Sequence, residues 1–295
     1  MDNPGAVQVT AGYYQASVGL RLFRFTLGTF QRLWPALAVR AAVRLFCTPL
    51  PPKWLQRRVS WDADWNVAHW RFEDATLTTY TPAAAPHGPV ALLVHGWGGS
   101  ARQLLPLAES LAQHGYRPVL LELPAHGRSE GATSNLPQFA RAIDYAVARL
   151  QQEGCEIGVL AAHSLGANAA AYAASRGLAI GKLVLLAPPA SPRAYTRYFA
   201  EVFGLSEDTR CAMQKHIEAR EGILMQHFEP RAVAPRIRVP TLVVHDRGDS
   251  INAFADGQAF AQSIQGAQLL ATEGLGHRRI LKDPSVVAKT VMFAR

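Results

Sequence analysis

Six short apolar segments alternate with longer amphipathic ones from Pro89 onward. The apolar segments read "PVALLVHG", "YRPVLLEL", "IGVLAAHS", "KLVLLAPP", "VPTLVVHD" and "AQLLATEG". Each is apolar at consecutive positions, which is typical of parallel strands that are buried on both faces. Between two of them, apolar residues recur at helical spacing: Phe139, Ala142, Ile143, Ala146, Val147 and Leu150. This alternation predicts an α/β fold with a mostly parallel central sheet flanked by helices.

Two departures from this rhythm refine the fold. The segment "AHWRFEDATLTTYTP" alternates polar and apolar residues, which predicts an antiparallel hairpin ahead of the parallel strands. About 45 residues separate the fourth and fifth apolar segments, more than a simple crossover requires. We therefore predict a small helical lid at about residues 190–236, with one helix capped by Ser206. An insertion at the carboxyl ends of parallel strands borders the usual binding crevice of such a sheet.

We predict that residues 1–60 form a separate unit, a basic amphipathic helical arm, and that residues 61–295 form the main domain, which includes the lid. Arginines share one side of the arm's helical pattern, and Pro35 interrupts the helix. No apolar run reaches the about 18 residues of a membrane span, and the N-terminus does not resemble a secretory signal. Two alternatives remain open. Either the arm packs on the main domain, or residues 17–58 lie as a peripheral helix on anionic lipid.

The charge distribution excludes one class of partner. The net charge is +8, but residues 1–60 hold eight basic residues and one acid, so the remaining chain is nearly neutral. Because no basic face spreads over the main domain, we expect no nucleic-acid binding. The three cysteines, Cys47, Cys155 and Cys211, are too scattered for a disulfide framework. They predict reduced thiols and a cytoplasmic location. If the arm binds lipid, the protein would be peripheral on the inner face of the membrane.

Polar residues with nucleophilic and proton-transfer chemistry follow three of the apolar segments. Ser164 follows the third, Asp249 the fifth and His277 the sixth. In this order, and with "HGWGG" after the first segment, the chain from Trp70 onward resembles the α/β-hydrolase superfamily, in particular its bacterial serine hydrolases. The resemblance implies a serine nucleophile, a histidine base and a carboxylate that orients the histidine. Gly166 fits the family's G-x-S-x-G pattern, whereas Ala162 replaces its first glycine.

The resemblance also assigns the supporting residues. The backbone N–H groups of Trp97 and Leu165 are expected to form the oxyanion hole. Asp249 is the expected acid, since Asp246 stands where the family usually has glycine and is expected to cap the turn; Glu122 is a weaker rival. The family often continues its acid loop with Val-Pro, which "DSINAF" lacks. His126 and His163 are expected to be hydrogen-bonded loop residues, and no ligand spacing predicts a metal or cofactor.

The lid is rich in aromatic and methionine residues: Tyr195, Tyr198, Phe199, Phe203, Met213, His216, Met225 and Phe228. They indicate either an apolar substrate pocket or ordinary packing of the lid. The expected substrate-binding residues are Trp97, His163, Phe199, Phe203 and Met225. The leading hypothesis is hydrolysis of a small-molecule carboxylic ester with an apolar acyl or alcohol group. An acyltransferase or thioesterase with the same residues, and a non-catalytic ligand-binding relative, are the alternatives; the oligomeric state is not predicted.

Overall fold

The computed structural model describes residues 18–50 and 61–295, with side chains from Arg24 onward. The predicted central sheet is confirmed as one sheet of eight strands within these ranges, in the order β1-β2-β4-β3-β5-β6-β7-β8. The strands are β1 (Trp65–Phe72), β2 (Ala75–Pro82), β3 (Val90–Val94), β4 (Arg117–Glu122), β5 (Ile157–His163), β6 (Lys182–Leu186), β7 (Thr241–Asp246) and β8 (Gln268–Thr272). The hairpin β1–β2 and its pairing with β4 are antiparallel, and the other pairs are parallel.

Position in the sheet explains the burial of each strand. The central strands β3, β5 and β6 carry almost wholly buried side chains, because helices cover both faces. The prediction that all six segments are buried on both faces is wrong for β8, whose Gln268 and Leu269 are exposed. Since β8 pairs only with β7 at the edge of the sheet, it has fewer neighbours to exclude water.

Helices of the main domain cover the two faces of the sheet. They are α3 (Leu105–Gln113), α4 (Leu136–Gln152), α5 (Leu165–Ser175), α9 (Phe254–Ser263), α10 (Gly276–Arg279) and α11 (Pro284–Ala294). The six periodic residues of α4 are all buried, as predicted from their spacing. They join α5 and α9 in the core of one face, whereas α3 and α11 cover the other.

The predicted lid lies between β6 and β7 and is helical. It contains α6 (Pro192–Phe203), α7 (Glu207–Glu221), α8 (Pro230–Val233) and short 3-10 turns at Met225–Phe228 and Ala234–Arg236. The hydroxyl of Ser206 accepts the backbone N–H of Thr209, which caps α7 as predicted. Gly204 and Gly222 end α6 and α7 in the left-handed conformation, which glycine adopts without strain.

The described part of the N-terminal arm packs on the lid. It consists of α1 (Val18–Leu33) and α2 (Pro35–Phe46), which separate at the predicted proline. Ala42 and Val43 of α2 form a small apolar cluster with Met213 and Ile217 of α7. The side chain of Gln31 donates to the carbonyl of Gly204 at 3.1 Å and accepts the N–H of Ser206 at 2.7 Å. Residue 17 and residues 51–58 of the expected lipid-contact segment lie outside the described residues.

Two further expectations concerned membrane-spanning segments and the state of the cysteines. No helix in residues 18–50 or 61–295 is long and apolar enough to cross a membrane. The thiols of Cys47, Cys155 and Cys211 are free.

Candidate active site

Ser164 lies on a sharp bend between a buried strand and a helix. β5 ends at His163 and α5 begins at Leu165, so Ser164 occupies the single residue between them. Its φ of 54° and ψ of −127° are unusual for a residue with a side chain, and such strain is typical of functional positions. The first turn of α5 has no room for a side chain at Gly166, because a Cβ there would lie 2.2 Å from the carbonyl oxygen of His95.

Three distant residues form a continuous hydrogen-bonded chain at the carboxyl end of the sheet. The Oγ atom of Ser164 lies 3.2 Å from Nε2 of His277, and Nδ1 of His277 lies 2.7 Å from Oδ2 of Asp249. His277 is on α10, just after β8, and Asp249 is in the loop after β7. With the Nδ1 proton donated to Asp249, Nε2 is free to accept the serine proton, which is the arrangement that activates a hydroxyl.

Asp249 is buried but remains ionised. Its Oδ1 atom accepts the backbone N–H groups of Ile251 at 2.7 Å and Asn252 at 3.0 Å. Burial by itself would raise the pKa of Asp249, but hydrogen bonds from His245 and His277 outweigh it and hold the pKa well below the usual range. A permanently charged carboxylate behind His277 can stabilise that ring when it becomes protonated.

The two rival carboxylates have other partners. Asp246 accepts the N–H of Gly248 at 2.9 Å, the hydroxyl of Thr272 at 2.7 Å and the N–H of Leu275 at 2.9 Å. It therefore ties β7 to the end of β8 and to the loop before α10, the helix that carries His277. Glu122 accepts the hydroxyl of Tyr80 and the backbone N–H of Arg128. Neither carboxylate replaces Asp249 beside the imidazole.

Two backbone N–H groups beside Ser164 have no acceptor among the described residues: those of Trp97 and Leu165. The neighbouring N–H groups of Gly98 and Gly99 are already donated, to Nε2 of His126 and to the carbonyl of Gly96. Gly96 lies so close to the serine that a Cβ there would be 2.7 Å from the Cβ of Ser164. The N–H groups of Trp97, in the loop after β3, and of Leu165, at the start of α5, are therefore the candidate donors for an oxyanion.

His126 and His163 are both hydrogen-bonded, as predicted, but only His126 lies in a loop: the loop position expected for His163 is wrong, because β5 continues through that residue. Nε2 of His163 donates to the carbonyl of His277 at 3.0 Å, and the two rings lie 4.6 Å apart. Burial, followed by the nearby His277, lowers the pKa of His163, so its ring is neutral and does not repel a protonated His277. His126 donates from Nδ1 to the carbonyl of Pro124 and accepts at Nε2 from Gly98.

A cavity of about 290 Å³ opens above Ser164 and His277. All five expected substrate-binding residues line it: Trp97, His163, Phe199, Phe203 and Met225. Two other residues of the lid set do not line it: Met213 packs against the arm, and His216 is exposed on α7. The cavity is also lined by the end of the arm, through Leu45, Phe46, Thr48 and Leu50, which the sequence pattern did not indicate.

Asn252 is a further site residue that the sequence pattern did not indicate. Its Nδ2 atom donates to the carbonyl of Ala187 at 2.6 Å and lies 3.4 Å from Oγ of Ser164. Its Oδ1 atom accepts the hydroxyl of Tyr195 on the lid helix α6. The available signal was the departure from Val-Pro in the acid loop, because Asn252 follows Asp249 where the valine is usual.

The model of the Alpha/beta hydrolase family matches residues 91–290, about two thirds of the chain. The chain belongs to this family. It is an enzyme of the alpha/beta hydrolase type, and the match contains Ser164, Asp249 and His277. Within the described residues, no group of histidine, cysteine and acidic side chains is arranged to hold a metal ion.

Individual relatives are similar at low identity. The pimeloyl-[acyl-carrier protein] methyl ester esterase of Xanthomonas oryzae is 26% identical over 247 residues, which cover 70% of this chain and 94% of that protein. Est1E of Butyrivibrio proteoclasticus, solved with ferulic acid, shares 19% identity at a TM-score of 0.62 over 77% of this chain and 96% of its own. A membrane phospholipase A shares 17% identity at a TM-score of 0.59 over 94% and 96%. These structural likenesses concern the fold.

Proposed function

We propose that this protein is a serine hydrolase that cleaves a carboxylic ester with an apolar acyl or alcohol group through an acyl-enzyme intermediate. The observation that carries the proposal is the chain from Ser164 Oγ to His277 Nε2 (3.2 Å) and from His277 Nδ1 to Asp249 Oδ2 (2.7 Å) beside an apolar cavity. A non-catalytic ligand-binding protein would need the cavity but not this series of hydrogen bonds.

In the first half-reaction, Oγ of Ser164 attacks the ester carbonyl carbon while its proton passes to Nε2 of His277. The carbonyl π electrons move to the oxygen, and the N–H groups of Trp97 and Leu165 donate to that oxyanion. Collapse breaks the bond to the alcohol oxygen, which takes the proton from His277. In the second half-reaction water attacks the acyl-enzyme, His277 receives its proton, and collapse returns that proton to Ser164 as the acid leaves.

The size and lining of the cavity favour a substrate with a small or medium apolar group. Its volume of about 290 Å³ is just below the ~300–1,000 Å³ range of ligand pockets. Its walls are mainly aromatic and aliphatic, with Phe199, Phe203 and Phe228 among them. The curated relatives named as methyl ester esterases agree with a carboxylic ester as substrate. An acyltransferase or thioesterase would form the same acyl-enzyme, and no contact in the cavity favours either over hydrolysis.

A fluorophosphonate probe tests the nucleophile directly. Such a probe reacts with an activated serine, so the unmodified protein should be labelled once per chain and Ser164→Ala should not be labelled. His277→Gln, which keeps the serine but removes the base, should be labelled far more slowly. Labelling of Ser164→Ala at the rate of the unmodified protein would refute the proposed nucleophile, and an unlabelled native protein would favour a non-catalytic ligand-binding protein.

A matched pair of substitutions tests the acid. Asp249→Asn should lower kcat on p-nitrophenyl butyrate about 10⁴-fold, because an amide no longer holds the imidazole tautomer that accepts the serine proton. Asp246→Asn should mainly lower the melting temperature, because this residue ties the loops together. A larger loss of kcat from Asp246→Asn than from Asp249→Asn would overturn the assignment.

The cytoplasmic location inferred from the cysteines also stays a proposal. It agrees with the free thiols of Cys47, Cys155 and Cys211. Localisation of a tagged full-length chain by cell fractionation would test it, and recovery outside the cytoplasmic and membrane fractions would contradict it.

A further inference from the structure

The described part of the N-terminal arm exposes an unusual amount of apolar surface. Ten large hydrophobic side chains are exposed in residues 24–50 and 61–295, and six of them belong to the arm. Five of these six form what we call the outer face: Phe25, Phe30, Leu33, Trp34 and Leu37. Of the other four, Val67 and Leu224 are isolated on the surface, and Leu269 and Met292 line one small surface pocket at the edge of the sheet. Five exposed large hydrophobic residues within one short segment, two of them in contact, instead indicate an interaction site.

The arm cannot turn this face inward, because its opposite side is already packed. At about 100° per residue, Phe25 and Leu33 share one side of α1, about 80° apart, and Phe30 lies at the edge of that side, about 60° beyond Leu33. Leu27 and Gln31 are on the other side, where Leu27 is buried and Gln31 is hydrogen-bonded to Gly204 and Ser206. On α2, Ala38 and Ala42 are buried, and Leu37 points away from them. The inner side of both helices is therefore occupied. The outer side of α1 is apolar, whereas on α2 Leu37 shares the outer side with the exposed Arg40 and Arg44.

The charges around the outer face identify its partner. Arg32, Arg40 and Arg44 are exposed on the arm, and no acidic residue occurs between Asp2 and Asp62. A second copy of this face would bring these arginines together without a compensating carboxylate, which disfavours self-association. An anionic bilayer offers both an apolar interior for the aromatic side chains and negative headgroups for the arginines. Trp34 packs on Phe30 at 5.4 Å between ring centroids, and aromatic residues of this kind suit the lipid–water boundary.

We propose that the outer face of the arm docks on an anionic lipid bilayer. The same arm also reaches the active-site cavity. Leu45, Phe46, Thr48 and Leu50 line it, and the ring of Phe46 packs edge-on against Phe199 of the lid at 5.2 Å. Docking therefore brings a wall of the cavity close to the bilayer. The substrate class that follows, which rests on the proposed esterase function, is an apolar ester dissolved in the membrane.

Vesicle cosedimentation of the full-length chain tests the docking. Phosphatidylcholine vesicles, with or without phosphatidylglycerol, are compared at low and high salt. The unmodified protein should bind the anionic vesicles at least tenfold more tightly than the neutral ones, and high salt should weaken binding. The variant Phe25→Ser with Leu33→Ser should lose at least tenfold in affinity. The control Met292→Ser, which changes an equally exposed residue (72%, against 74% for Phe25), should bind normally.

A second pair of variants tests the charge. Arg32→Gln, Arg40→Gln and Arg44→Gln together should lose at least tenfold in affinity for anionic vesicles, since each arginine near the surface contributes about fivefold. The control replaces two exposed arginines just before β7, Arg236→Gln with Arg238→Gln, and should bind normally; Arg40→Gln with Arg44→Gln is the arm variant with the same change of charge. Melting temperature and hydrolysis of soluble p-nitrophenyl butyrate should stay unchanged in all variants, which separates docking from folding and catalysis.

Three results would overturn the docking: no binding to anionic vesicles, binding that salt does not weaken, or equal losses in the arm and control variants. Concentration-dependent dimerisation that Phe25→Ser with Leu33→Ser abolishes, without vesicle binding, would assign the face to a second copy instead. If Ser164 proves to be unreactive while vesicle binding follows the arm variants, the docking stands and the ester hydrolysis fails. If the enzyme hydrolyses soluble esters but the arm variants bind normally, only the docking fails.

Discussion

The tight turn after Ser164 makes Gly166→Ala a sharp test of the site. A Cβ at this position would lie 2.2 Å from the carbonyl oxygen of His95 and 3.1 Å from its carbonyl carbon. Non-bonded heavy atoms normally stay about 3.5 Å apart. Because the obstructing atoms belong to the backbone, no side-chain rotation relieves the overlap. Either the start of α5 or the end of β3 must move by about 1 Å.

That movement would separate the two halves of the proposed oxyanion hole. His95 leads directly into Gly96 and Trp97, whereas Gly166 follows Leu165, so the two N–H groups belong to the segments that must part. Overpacking of this kind costs about 1–3 kcal/mol. At about 2–4 °C per kcal/mol, the melting temperature should fall by about 2–12 °C. A misplacement of about 1 Å should also lower kcat about 10²-fold.

Thermal unfolding and kcat on p-nitrophenyl butyrate, measured for the same preparations, check both effects. Gly28→Ala is the control, since a Cβ there meets nothing within 4 Å and the residue is inside α1. It should stabilise that helix by about 0.5–1 kcal/mol and leave kcat unchanged. A Gly166→Ala protein with unchanged melting temperature and kcat would refute the close approach of α5 to β3, and with it the reason for a small residue here.

Two other predictions concern the lid contact and a buried carboxyl. Tyr195→Phe removes the hydroxyl that orients Asn252; kcat should fall several-fold with little change in KM, and Tyr172→Phe should leave kcat unchanged. A several-fold rise of KM with unchanged kcat would instead show that Tyr195 only contacts the substrate. Burial raises the pKa of Asp256, so its contribution to stability is present below about pH 4 and is lost as the pH rises through the raised value. Asp256→Asn should therefore be more stable than the unmodified protein at pH 7 but not at pH 3.5, measured by urea unfolding; the same difference at both values would contradict this.

The spacing of apolar residues along the chain was enough to predict the helices and the strands of the main domain. The spacing of Phe139, Ile143 and Val147 indicated α4, because a helix repeats its buried side about every 3.6 residues. The apolar segments gave the strands in chain order, but not the exposure of β8. Its composition resembles that of the central strands, and only its place at the edge of the sheet leaves Leu269 accessible to water. The chain order Ser164, Asp249, His277 indicated candidates, and the fold brings these side chains into contact.

Contacts between distant segments were beyond those patterns. Asn252 stands in a loop whose sequence has no periodicity, and its partners Ala187 and Tyr195 come from β6's end and the lid. Likewise, nothing in the composition of the arm indicates that Phe46 reaches Phe199 above the serine. For Met213 the sequence left two alternatives open, a substrate pocket or packing of the lid, and the structure shows that it packs against the arm.

The arm illustrates why its two sequence interpretations are compatible. An amphipathic pattern predicts one buried side, but α1 and α2 carry apolar residues on more than one side. Packing on the lid occupies Leu27, Ala38 and Ala42, and hydrogen bonds occupy Gln31. Transfer of the remaining apolar residues, Phe25 and Leu33 among them, from water into a second apolar environment would be favourable. Packing on the lid therefore orients the outer face, and the proposed docking on lipid would use the side that this packing leaves exposed.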